Sequence, residues 1–123
     1  MGRKISAEDG HAALAAWRTG SASRAEIGTA VRYSLQVLAQ RHPGQAVEVR
    51  VPPFGAVQIG SGPVHRRGPP PAVVEMKTDT WLALAVGVLT WENAVSAKQI
   101  NATGIGSDLT AYLPVFSPPR PLS

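Results

Sequence analysis

Residues 73–87 read Val73-Val74-Glu75-Met76-Lys77-Thr78-Asp79-Thr80-Trp81-Leu82-Ala83-Leu84-Ala85-Val86-Gly87, and their period changes in the middle. The first part belongs to a strand over 72–77. Glu75 and Lys77 share a face with Val73, which turns Ala72, Val74 and Met76 inward. From Thr78 the pattern is helical: Thr78-Asp79-Thr80 caps, Trp81 to Val86 is apolar, and Gly87 is an end signal. Apolar residues cover almost the whole circumference of this helix, so it is buried on most sides or faces a second apolar object.

Upstream, Ser6-Ala7-Glu8-Asp9 is an N-cap followed by acids, opening a helix through Trp17 that ends at Gly20. Ser23-Arg24-Ala25-Glu26 is a capping box, and Ile27, Ala30, Val31, Ser34, Leu35 and Leu38 then mark one helical face. His42-Pro43-Gly44 stops this second helix. Val47-Glu48-Val49-Arg50-Val51 alternates as a half-buried strand does, Pro52-Pro53 breaks it, and Phe54 to Ile59 reads as its successor. Gly60 to Pro71 is a connection rich in glycine and proline.

Downstream, Thr90-Trp91-Glu92-Asn93 starts a short helix ending near Lys98, and Ile100 to Gly104 is a short strand. Ser107-Asp108 opens a closing helix with Leu109, Tyr112, Leu113 and Phe116 on one face, limited or kinked by Pro114. The order is two helices, three strands, two helices, one strand and one helix. It predicts an α/β (α+β) domain over residues 1–116, with helices covering a small sheet and a proline-rich tail over 117–123.

Composition agrees with one globular domain of 123 residues. The apolar fraction is 44% and the charged fraction 16%, which argues against wholesale disorder. The absence of cysteine removes disulfides, thiol catalysis and cysteine-ligated zinc. No apolar run reaches the roughly 18 residues that span a bilayer. The N-terminus has two basic residues without an apolar stretch after them, so the expected location is the cytoplasm. Met1-Gly2-Arg3-Lys4-Ile5-Ser6 fits the N-myristoylation pattern formally, but Ser6 is better read as a cap.

The net charge of +4 does not make a nucleic-acid binder. Arg18, Arg24, Arg32 and Arg41 are scattered, and the adjacent basic pairs are Arg3-Lys4 and Arg66-Arg67. Nucleic-acid binders concentrate such charges into a stripe, often with aromatics interleaved. The charge keeps one use, a transient attraction toward anionic lipid headgroups.

Reactive constellations are poorly represented. Gly60-Ser61-Gly62 lacks the frame of a nucleophile elbow and reads as a turn. His11, His42 and His65 lie far apart with no partner at ligand spacing, so no metal is expected. Gly104-Ile105-Gly106 begins a dinucleotide fingerprint, but its third glycine position falls at Leu109 and no βαβ unit surrounds it. Glu75 and Asp79 are close in sequence, yet one reads as a wet strand residue and the other as a cap. What stands out is apolar: one stripe of Trp81, Leu84, Ala85 and Val88, and another of Leu109, Tyr112, Leu113 and Phe116.

The run from Val73 to Gly87 resembles the strand, acidic cap and glycine-ended apolar helix of the sterol carrier protein family. Ala94, the run Lys98-Gln99-Ile100-Asn101-Ala102-Thr103-Gly104, and Ser107 to Phe116 resemble its short helix, its glycine-ended strand and its closing helix. Val47 to Pro53 is similar to the corresponding part of a small bacterial branch. The resemblance is strongest over residues 72–116. It implies a sterol-carrier-like fold, a small and mostly antiparallel sheet covered by helices around an apolar cavity.

Members of that family bind sterols, fatty acids or acyl-CoA, and similar domains serve as accessory parts of larger enzymes. The expectation is therefore a non-enzymatic binder of a lipid or other apolar small molecule, working without a cofactor. Its wall would be Val74, Met76, Trp81, Leu84, Val88, Leu109, Leu113 and Phe116, with the closing helix as cover and Arg66-Arg67 meeting a headgroup. The alternative is an accessory or protein-interaction module with a filled core. Ala97, where the family commonly has glycine, the Gly60–Pro71 connection unusually rich in glycine and proline, and Pro114 depart from the family pattern and bear on the size of the cavity and on whether it is open.

Overall fold

The computed structural model describes residues 4–61, 72–104 and 106–116. Its elements run α1 (Ala7–Arg18), α2 (Arg24–Arg41), β1 (Val47–Val51), β2 (Gly55–Ile59), β3 (Ala72–Met76), α3 (Thr78–Ala85), α4 (Trp91–Ser96) and β4 (Ile100–Thr103). A single 3-10 turn at Thr110–Tyr112 follows. The predicted α+β class holds.

The four strands form one sheet in the order β2-β1-β3-β4. β1 pairs antiparallel with β2 and parallel with β3, and β3 pairs antiparallel with β4. Val47 lies opposite Ile59 on one side and Ala72 on the other, so the end of β2 and the beginning of β3 both lie beside the start of β1. Main-chain bonds from Ala46 N–H to Gly60 C=O (3.1 Å) and from Ala72 N–H to Ala46 C=O (3.2 Å) tie that end together.

One face of the sheet is apolar and one is wet. Val47, Val49 and Val51 of β1 and Ala72, Val74 and Met76 of β3 are all buried, as the alternation predicts. Glu48, Arg50, Gln58 and Asn101 lie on the opposite face, where Arg50 is ion-paired to Glu48. α2 packs on β2 and α3, and α1 lies on α2.

Helix ends follow the sequence signals in detail. Ser6 accepts from Asp9 N–H (3.1 Å), and Ser23 and Glu26 make both bonds of the capping box. Gly20 and Gly87 take left-handed φ values of 75° and 83° at the ends of α1 and α3.

Two expectations change. α3 already begins at Thr78, within the presumed cap: Lys77 holds the N-cap position without a side-chain bond, and Asp79 instead accepts from Trp17 Nε1 (3.0 Å), tying α1 to α3. At the end of α4 the left-handed residue is Lys98 (φ 58°), while Ala97 is the C-cap at φ −83°.

The closing helix is the second. It does not form beyond the 3-10 turn. Leu113, which precedes proline, is extended at φ −115° and ψ 148°, and Pro114 has no N–H to donate. Asp108 also draws the Thr110 N–H (2.8 Å) and hydroxyl (2.6 Å) into a local turn that competes with a helix start. The tail at 117–123 lies outside the described residues.

Candidate functional site

The site grows from the inner face of the sheet. Val74 and Met76 project from β3, and α3, which leaves β3 after Lys77, brings Trp81 and Leu84 into the same buried cluster. Leu109 enters it from the C-terminal segment. Their side chains are between 0% and 4% exposed, so five of the eight residues read from sequence as a wall meet in one closed core. Trp81 is anchored by its Nε1–H, which donates to Ser34 Oγ of α2 (2.8 Å). Ser34 in turn donates back to the α2 carbonyls of Ala30 (2.8 Å) and Val31 (2.9 Å), leaving its oxygen free to accept the indole.

The C-terminal segment, residues 107–116, crosses this core as a strap. Leu109 and Val115 are buried, while Tyr112, Leu113 and Phe116 are half-buried against the cluster. The Tyr112 ring meets His42 edge to face (centroids 4.9 Å). The Arg41 guanidinium donates to Val115 C=O, and Phe116 N–H donates to Ala85 C=O (2.9 Å). The Phe116 ring stacks on Tyr33 (5.8 Å between centroids, planes within 10°), and His11 meets both rings on edge at 5.4 Å. α1, α2 and α3 therefore all hold the strap, mainly through side chains.

At its start, Asp108 is fully exposed, and the hydroxyl and then the amide of Thr110 hold its carboxyl below its ordinary value of 3.8. A depressed folded-state pKa stabilises the turn above the unfolded value and loses that stabilisation as pH falls through the folded one. Acidification below pH 3.8 is expected to loosen the turn. The Thr110 amide resonance of the parent protein should shift with that titration, and in Asp108→Asn the titration should vanish.

The remaining wall residues part company. Leu113 and Phe116 reach the core from the strap. Val88 does not: it is 67% exposed, because the chain turns away at Gly87 one helical position before the stripe would continue inward. Arg66 and Arg67 lie outside the described residues. Tyr33 and His11, which grip Phe116, were not legible as site residues. Tyr33 falls off the face marked by Ile27, Val31 and Leu38, and only the packing of α1 across it gives it a role.

Chemically, the described core holds apolar matter. Its buried polar side chains are Ser34 and Thr80. Open clefts among the described residues include one of about 590 Å³ between the start of α1 and α2, with Lys4, Asp9 and Glu26, and one of about 270 Å³ at the β3–β4 end, with Met76, Lys77 and Lys98. Among the described residues no helix is long and apolar enough to cross a membrane.

Comparison with curated proteins gives no match. The family model described as bacterial SCP ortholog matches residues 23–115, from the capping serine of α2 to the buried valine of the strap. That span takes in the whole sheet, α2, α3, α4 and the strap as far as Val115, and the chain belongs to this sterol carrier protein-like family.

Proposed function

We propose that the protein binds one apolar ligand (a fatty acid, acyl-CoA or sterol-like lipid) beneath the C-terminal strap and performs no reaction on it. Family membership supports this reading. The observation that carries it is the contrast between a well-packed core and a weakly tethered cover. Five apolar side chains of the strap lie on the core. Yet among the described residues only one main-chain hydrogen bond, from Phe116 to Ala85, joins the strap to the rest of the fold. Opening the strap therefore breaks side-chain contacts and the Arg41–Val115 bond but no ladder of main-chain hydrogen bonds.

An apolar ligand seated beneath the lifted strap gains roughly 25 cal/mol per Å² of area removed from water. The proposed wall is Val74, Met76, Trp81, Leu84, Leu109, Leu113 and Phe116, without Val88. Contact of Arg66 and Arg67 with a headgroup, transient contact with anionic membrane surfaces and a cytoplasmic location belong to the same proposal.

Titration with a fluorescent fatty acid or sterol analogue tests it. Saturable binding of one equivalent is expected, weakened about tenfold or more by Leu113→Asp, which places a charge on the apolar underside of the strap. No saturable binding, or binding indifferent to that substitution, sinks the proposal.

A second reading, an accessory module whose filled core takes no ligand, draws on the 0% exposure of Val74, Trp81 and Leu109. Native mass spectrometry separates the two. A lipid adduct that co-purifies and is lost on delipidation supports the carrier, and a bare chain that also refuses added lipid supports the module.

A further inference from the structure

Phe116 anchors the end of the strap twice. Its N–H makes the bond to Ala85 C=O (2.9 Å), and its ring stacks on Tyr33 of α2 and meets His11 of α1. α1 lies outside residues 23–115, the span that matches the family. The end of the strap is therefore gripped in part by a helix that the matched span does not include.

The grip comes from the second turn of α1. His11 meets the Tyr33 and Phe116 rings on edge, both at 5.4 Å between centroids, and its Nε2 lies 3.5 Å from the Tyr33 hydroxyl oxygen. Gly10, the residue before it, lets the α1 backbone come down on the Tyr33 ring, because a side chain there would overlap that ring. Tyr33 is thus confined by α1, and a confined ring offers Phe116 a fixed face to stack on.

α1 is itself lightly held. Gly10, Ala13 and Leu14 are the buried residues among its 12, so it contributes little apolar area, and a helix of that length is marginal on its own. Polar tethers position it at each end. Near its start, Ile5 N–H donates to Gln36 Oε1 (2.8 Å) and Gln36 Nε2 donates back to Ile5 C=O (2.9 Å). Near its end, Trp17 Nε1 donates to exposed Asp79 (3.0 Å). Release of those tethers leaves α1 on its small buried face and on the connection at residues 19–23.

We propose that α1 is the latch of the strap: the Phe116 end lifts only when α1 swings off Tyr33. The latch goes beyond the carrier reading, since it concerns the opening of the strap whether or not a ligand follows. Access to the core is then governed at a surface helix, and whatever frees that helix frees the strap. The coupling is thermodynamic. Substitutions that weaken the tethers raise the population of every open state in which α1 is released, and of no other.

Amide hydrogen exchange of the full chain, read by NMR where reclosing outpaces exchange, tests the latch. In the parent, the Phe116 amide is expected to exchange faster than those of Val49 and Val74 in the sheet, which marks an opening short of global unfolding. Trp17→Phe with Gln36→Ala removes both tethers and changes no residue of the strap. The Leu14 amide of α1 and the Phe116 amide should both speed up about tenfold in the double variant and about threefold in each single one, which also guards against a double variant that folds poorly.

A Phe116 rate that stays put while Leu14 accelerates overturns the proposal, because the strap then opens with α1 in place. So does a Phe116 amide that accelerates without Leu14, or a Leu14 amide that ignores the loss of both tethers. Parent rates at Phe116 equal to those at Val49 and Val74 also overturn it, since the strap would then open only with the whole fold.

Discussion

Trp81→Ala should lower the unfolding free energy by about 3–5 kcal/mol, the usual cost of removing a large aromatic from a closed core. Domains of this size are stable by only about 5–15 kcal/mol, so the loss should appear as a fall of about 15 °C in the melting temperature. Trp81 is 0% exposed and among the largest fully buried side chains of the protein. It also joins two elements far apart in sequence, through the bond from its indole N–H to Ser34 Oγ on α2 (2.8 Å).

Two companion substitutions separate packing from hydrogen bonding. Trp81→Phe keeps much of the ring and loses the bond, and it should cost about 1–2 kcal/mol, because Ser34 keeps its partners at Ala30 and Val31. Ser34→Ala strands the indole N–H in an apolar interior and should cost about 1–3 kcal/mol. Urea denaturation of the three variants checks these values, with an unchanged m-value expected. A loss below about 1 kcal/mol in Trp81→Ala would mean that the indole is not a core element.

Gly10→Ala should also destabilise, by about 2–3 kcal/mol, although alanine in a helix interior normally gains about 1 kcal/mol over glycine. The sign is reversed by a neighbour. Gly10 is buried in α1 where α2 crosses it, and a Cβ there would lie 2.2 Å from Cγ and Cδ2 of the Tyr33 ring, near the root of the side chain. Tyr33 cannot swing away freely, because it is stacked on Phe116 and flanked by His11.

Relief comes from lifting α1 or from moving the Tyr33–Phe116 pair, and the second route loosens the strap. The variant should therefore show both a lower melting temperature and stronger binding of an apolar dye such as ANS. A stabilised Gly10→Ala variant would place the α1–α2 contact elsewhere. The control is Ala15→Gly, on the exposed side of the same helix, where only the ordinary helix cost of about 1 kcal/mol is expected.

Much of the fold was legible because its signals are local. The capping box at Ser23 and Glu26, the glycine ends of α1 and α3, and the alternation of β1 and β3 each depend on residues within a few positions of one another. The same holds for the inward set Ala72, Val74 and Met76. Where prediction failed, a competing local interaction or a distant partner had intervened. Asp79 reads as a cap until Trp17, 62 residues away, supplies a donor for it. The closing helix reads correctly as an apolar face, but Asp108 and Pro114 remove the bonds a helix needs at both ends, and the same side chains reach the core from a strap.

The candidate site divides along the same line. Period and apolarity marked Val74, Met76, Trp81, Leu84 and Leu109, since burial follows from which face a residue occupies. They could not mark Val88 as exposed, because the turn at Gly87 decides where the stripe stops. Nor could they find Tyr33 and His11, whose role exists only where α1, α2 and the strap converge.

The sequence by itself determined an α+β domain, the inward faces of its strands, the capped ends of α1 and α2, and a core made of apolar walls without a recognisable reactive set. Only the tertiary structure decided that β1 and β3 run parallel, that those walls meet under a tethered strap, and that His11, Tyr33 and Phe116 meet in one cluster. The physical reason is range. Periodicity, capping and backbone preference are set within a few residues, whereas strand order, closure of the core and the meeting of distant rings depend on contacts that only the assembled chain makes.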